Sequence, residues 1–131
     1  MATAQQPLVL VVDDEALIRQ MEMRILQSGG YRTLEAESGL EAIRMLDEGI
    51  AVDLLIADLE MPDLTGDVMV GRIHAARPNL KVLYVTGNIG RLLDKRSLTW
   101  EGEAFLDKPF TSKGLLEAVS LLLTGTTTTS K

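Results

Sequence analysis

Unbroken apolar runs alternate along the chain with stretches whose apolar residues recur every three or four positions. Leu8-Val9-Leu10-Val11-Val12 is of the first kind, and such a β-rich run fits a strand buried on both faces. Beyond Glu15 the period changes. Leu17, Ile18, Met21 and Ile25 fall on one side of a helix that Gly29-Gly30 stops. Residues 31–36 read as a second strand. Ser38-Gly39-Leu40-Glu41 forms a capping box, with Ser38 over the open amides and Glu41 reaching back. It opens a helix that turns Ala42, Ile43 and Leu46 inward and closes at Gly49. Residues 54–57 make a third strand. Thr65 or Gly66 begins a helix with Met69, Ile73 and Ala76 aligned, ended by Pro78. Residues 82–85 form a fourth strand, and residues 87–98 a helix with a short stripe of Ile89, Leu92 and Leu93. A fifth strand covers residues 103–106. The last helix starts near Thr111 and buries Leu115, Ala118, Val119 and Leu122.

Five strands alternating with five helices predict an α/β fold, a parallel sheet covered on both faces. With right-handed crossovers the common solution is the flavodoxin-like (βα)5 doubly wound sheet, order 2-1-3-4-5. That order makes the ends of strands one and three neighbours, at the switch point where ligands bind. One domain is expected over residues 7–123. Disordered ends are expected at 1–6 and at 124–131, where four threonines follow one another.

Composition narrows the chemistry. The chain of 131 residues has no cysteine, which removes disulfides, thiolate metal sites and cysteine nucleophiles. Thirteen basic against 19 acidic residues give a charge of −6, the wrong sign for gripping nucleic acid. Arg91, Lys95 and Arg96 read as a solvated helix face. No apolar run is long enough to span a membrane, and with a polar N-terminus no secretory signal is expected, so a cytoplasmic protein is expected. His74, the single histidine, is expected to face solvent. Met21, Met45 and Met69 read as gap-filling core or surface residues.

The chemistry sits just after the strands. Strand one runs into Asp13-Asp14-Glu15, strand three into Asp58, strand four into Thr86, and strand five into Asp107-Lys108-Pro109. Taken singly, an aspartate there could cap a helix or a turn, Thr86 could be a loop hydroxyl and Lys108 a surface charge. Together on one rim they point to a site. Three convergent acids repel one another unless a cation holds them ionised. An all-oxygen set without His or Cys suits a hard ion such as Mg²⁺.

Val11-Val12-Asp13-Asp14-Glu15, Asp58-Leu59-Glu60-Met61-Pro62 with Gly66, Thr86-Gly87 and Lys108-Pro109-Phe110 together resemble the receiver domain of two-component response regulators. The resemblance covers nearly the whole chain. Residues 88–100 are similar to the shortened fourth helix of receivers that work with hybrid histidine kinases. The resemblance implies Mg²⁺ (or Mn²⁺) held by Asp13, Asp14, Asp58 and the backbone carbonyl of Glu60. It implies phosphoryl transfer from the phosphohistidine of a histidine kinase or phosphotransfer protein to Asp58. Lys108 and Thr86 would bind phosphoryl oxygens, and Thr86, Phe105 and Pro109 would form the switch, Lys108-Pro109 resembling the family's cis peptide. Such a domain modifies only itself and is not a turnover enzyme. Its expected output is a downstream protein bound on the face of the fourth helix, fifth strand and last helix, where Trp100, Leu116 and Leu123 are candidate contacts. The Glu60 carboxylate, beside the acceptor, could repel phosphate or orient water. No output module is expected from these residues, and a free-standing regulator, a phosphate shuttle and a piece of a hybrid kinase all stay open.

Two other classes compete. A Mg²⁺-dependent phosphohydrolase with an aspartyl nucleophile is suggested by Asp58-Leu59-Glu60, although that class places its nucleophile after the first strand. Sustained turnover of a phosphate ester would favour it. A flavodoxin-type FMN carrier needs a phosphate-cradling loop after strand one, where this chain has three acids, and a yellow protein would favour it.

Overall fold

The computed structural model describes residues 6–87, 103–108 and 110–125. The expected helix over residues 87–98, the basic group Arg91, Lys95 and Arg96, and Trp100 and Pro109 lie outside the described residues, Gly87 excepted. Strands β1 (Leu8–Val12), β2 (Arg32–Ala36), β3 (Leu54–Asp58), β4 (Lys81–Thr86) and β5 (Glu103–Asp107) form one sheet in the order β2-β1-β3-β4-β5. All four pairings are parallel. The expected topology holds, with the strand limits moved by a residue or so.

Strand alternation decides which side each residue serves. Leu10, Val12, Leu55, Ala57, Val82 and Tyr84 pack with α2 (Gly39–Asp47) and α3 (Gly66–Ala76). Val9, Val11, Leu54, Ile56, Leu83 and Val85 pack with α1 (Ala16–Ser28) and the C-terminal helix (Ser112–Thr124). The three central strands are covered on both faces, which is why β1, residues 54–57 of β3 and residues 82–85 of β4 are unbroken apolar runs.

The caps follow the sequence closely. Ser38 Oγ accepts from the Glu41 amide at 3.1 Å. Glu41 reaches back one residue further than a capping box requires, its Oε1 accepting from the Glu37 amide at 2.7 Å. Thr111 Oγ1 accepts from the Gly114 amide at 2.9 Å and starts the C-terminal helix. Thr65 is the N-cap of α3 but makes no side-chain cap bond.

Several expectations about faces need correcting. In α1 the stripe of Leu17, Ile18, Met21 and Ile25 is not the buried one. Leu17 is 81% exposed, Met21 is exposed, and the buried residues are Arg19, Glu22 and Leu26. Arg19 can turn inward because partners wait there: Glu35 Oε1 at 2.6 Å and the Asp13 carbonyl at 2.7 Å. Ala76 is exposed at the end of α3, where the inward positions are Gly66, Met69, Val70 and Ile73. His74 is half-buried, with Nε2 2.9 Å from the Leu80 carbonyl, because the chain turns back past α3 into β4. Leu116 and Leu123 are half-buried as well. Leu123 packs on the α1-side core, and Leu116 lies against Gly29. Met69 is core, and Met45 packs partly buried beside it.

Candidate functional site

Sheet register assembles the site. Val12 lies beside Ala57, so Asp13 and Asp58, each one residue further on, end side by side. Asp58 continues the alternation of Leu54 and Ile56 toward the α1 side, and Lys108 that of Ala104 and Leu106. Thr86 pairs with Asp107, and its carbonyl accepts from the Lys108 amide at 3.0 Å, fixing where the lysine leaves β5. Phe105 stacks on its register partner Tyr84, ring centres 5.5 Å apart and 9° from coplanar, on the opposite face.

One carboxylate oxygen from each of Asp13, Asp14 and Asp58 lies within 4.8 Å of the others. Asp13 and Asp58 are buried and Asp14 is exposed, so the cluster opens to water on one side. Backbone amides fix the buried pair. Asp13 Oδ1 accepts from Glu15 N at 2.9 Å and Asp58 Oδ1 from Glu60 N at 3.1 Å. The turn-capping roles open to single aspartates are therefore present too, in addition to the cluster. Lys108 Nζ donates to Asp58 Oδ2 at 3.2 Å and stands 3.7 Å from Asp13 Oδ2.

The electrostatics are those of a crowded, half-dry pocket. Burial pushes the Asp13 carboxyl above its ordinary range, against the Glu15 amide and Lys108, and Asp58 and Asp14 add to the push. Burial raises Asp58 likewise, against the Glu60 amide and Lys108. Burial alone would lower Lys108, but Asp58, Asp13 and Glu22 outweigh it and hold the ammonium above its ordinary value. Three carboxylates against one ammonium leave an excess negative charge that a divalent ion would balance. The all-oxygen donor set and the water-facing Asp14 fit Mg²⁺, which keeps several of its waters.

Asp13, Asp14, Asp58 and Lys108 thus meet, and Thr86 is buried at the adjacent strand end. Glu60 turns its side chain outward while its amide serves Asp58. Pro109 is outside the described residues. Sequence reasoning missed Arg19, which ties the Asp13 carbonyl to Glu35 on β2, and Glu22. The signal was present: positions 19, 22 and 26 share one helical side, but two of the three are charged.

Gly66 is required by close approach. A Cβ there would stand 2.4 Å from the Asp58 carbonyl oxygen and 3.0 Å from Leu59 Cα. Gly66→Ala must move α3 or the end of β3, and a loss of about 1–3 kcal/mol is expected, read from urea unfolding. An unchanged midpoint would show that α3 can shift away from β3 without cost.

A doubly wound sheet with an acidic cluster and a lysine at its switch point defines a class of phosphoryl-accepting signalling domains, and the comparisons agree. Residues 9–120 match the response regulator receiver domain family. The chain is 34% identical over 116 residues to the sensor kinase CckA of Brucella abortus, covering 88% of this chain and 12% of that protein. It is 32% identical over 114 residues to the chemotaxis protein CheY of Listeria monocytogenes, covering 85% and 93%. The response regulator protein TrrA of Thermotoga maritima, solved in complex with Mg²⁺-BeF, superposes with a TM-score of 0.80 at 33% identity, covering 90% and 100%. The chain belongs to the response regulator receiver domain family of two-component signalling, and the phosphohydrolase reading is not favoured. Among the described residues no helix is long and apolar enough to cross a membrane.

Proposed function

We propose that Asp58 accepts a phosphoryl group from the phosphohistidine of a histidine kinase or histidine phosphotransfer protein. The observation that carries this reading is the buried Asp58 carboxylate, bonded by Lys108 and grouped with Asp13 and Asp14. A carboxylate oxygen of Asp58 bonds to phosphorus as the P–N bond breaks, and the electron pair leaves with the imidazole, which takes a proton from solvent. Asp13, Asp14, Asp58 and the Glu60 carbonyl would hold Mg²⁺ or Mn²⁺, which supplies positive charge to the phosphoryl oxygens. The TrrA complex supports that assignment. Lys108 already stands at Asp58 and needs only a small shift to reach a phosphoryl oxygen. Thr86, at the next strand end, donates its hydroxyl to another. Both act where negative charge accumulates.

The switch follows from the same contacts. A phosphoryl group that draws Thr86 inward favours the state in which Phe105 is also turned in. Phe105 has no hydroxyl to mark that state by a hydrogen bond, so stacking on Tyr84 takes its place in setting the balance. The changed face, near β5 and the C-terminal helix, would meet a downstream protein. The chain modifies itself in this scheme and turns over no other substrate.

Intact-mass measurement after incubation with acetyl phosphate and Mg²⁺ should show one added phosphoryl group. Adding EDTA should suppress the labelling rate by about a hundredfold, since charge neutralisation of this kind is worth several kcal/mol. An unchanged rate after chelation would remove Asp13 and Asp14 as ligands.

A further inference from the structure

Glu22 is the feature that neither the fold nor the proposed transfer uses. It lies in the inward stripe of α1, 1% exposed, and its Oε2 has no hydrogen-bond partner among the described residues. A buried carboxyl oxygen without a partner is costly and asks for a reason. Its surroundings suggest one, because the charges acting on it are Asp13, Lys108 and Asp58.

In the resting pocket the Lys108 ammonium occupies the ground between Asp58 and Asp13. Asp13, Asp14 and Asp58 would hold a divalent cation, whose charge would oppose that of the nearby ammonium. Space is at hand: a cavity of about 370 Å³ borders Lys108 and is lined by Ile18, Met21 and Phe110. Ile18 is one turn from Glu22 on the same side of α1, although Glu22 itself does not line the cavity. We propose that Glu22 is a positioning residue for Lys108, an interior seat that receives the ammonium when a divalent cation takes the acidic cluster. The seat keeps the lysine beside the phosphoryl position and not out in solvent, and it gives Oε2 its missing donor. This inference rests on the cation site proposed above.

A double-mutant cycle tests it, with Mn²⁺ as probe and free Mn²⁺ counted by electron paramagnetic resonance. Glu22→Gln should weaken Mn²⁺ binding about tenfold, the low end of what losing a supporting partner of a metal site costs. Lys108→Met should tighten binding, and adding Glu22→Gln to it should change nothing further. Glu22→Leu, which removes both oxygens, is the second variant, and thermal melting checks that each is folded. An equal loss with and without the lysine would make Glu22 a direct attractor of the ion and overturn the seat. So would unchanged binding in Glu22→Gln. Failure of the parent to bind Mn²⁺ at all would sink the cation site and this inference together.

Discussion

Asp58→Asn is expected to take up no phosphoryl group from acetyl phosphate under conditions in which the parent gains one. The amide replaces a carboxylate of almost the same shape, and its one carbonyl oxygen can keep either the bond from the Glu60 amide or the bond from Lys108. What is lost is the anionic oxygen that must bond to phosphorus, so the fall in rate should exceed a thousandfold by roughly the scale of losing a nucleophile. The pocket should survive, because burial already disfavours the Asp58 anion and the variant removes one of three mutually repelling acids. Intact mass and a melting curve together separate the effects: a folded, unlabelled variant supports the assignment. Equal labelling of variant and parent would move the acceptor elsewhere.

Glu22→Gln should stabilise the cation-free protein, and increasingly so as pH rises. Burial, then Asp13 and Asp58, push the Glu22 carboxyl from 4.5 up to about 8 in the folded chain, against the pull of Lys108. Between those values the folded state holds a proton that the unfolded state has released, so folding stability declines as pH rises through the window. At pH 7 that penalty is on the order of 3 kcal/mol, and glutamine does not carry it. The melting temperature in EDTA should then rise by about 10 °C at pH 7 and differ little near pH 4. Asp13 and Asp58, also raised by burial, give a slope of the same sign that the variant retains. A Glu22→Gln protein whose stability falls as steeply with pH as the parent's would show that Glu22 is ionised and well paired in the folded chain.

The fold was legible because its physical requirements leave few solutions. A strand covered on both faces has to be apolar where it is covered, and β1, residues 54–57 of β3 and residues 82–85 of β4 are. The capping box at Ser38 and the cap at Thr111 depend on neighbours three residues away, so local sequence contains both partners. The acids were legible for a related reason: each stands where an apolar run stops, and parallel strands with one-handed crossovers bring those stops to one edge.

Helix faces were less legible. Apolar spacing in α1 pointed to Leu17, Ile18, Met21 and Ile25, yet Leu17 and Met21 are exposed while Arg19 and Glu22 are inside. No local pattern could show that Glu35, sixteen residues away, and the Asp13 carbonyl would compensate a buried guanidinium. His74 was misjudged for the same reason, its Leu80 acceptor being supplied by the return into β4.

The amino-acid sequence alone determined the element order, the parallel sheet, the family and the identity of the acidic, hydroxyl and lysine residues at the strand ends. These depend on periodicity and on what ends each run, both local properties. Tertiary structure decided which side of α1 is buried, why position 66 must be glycine, how near Lys108 stands to Asp58 and Asp13, and that the Glu22 carboxyl is buried. Each of these is a distance or a desolvation set by residues far apart in the chain, and neither exists until the elements have packed.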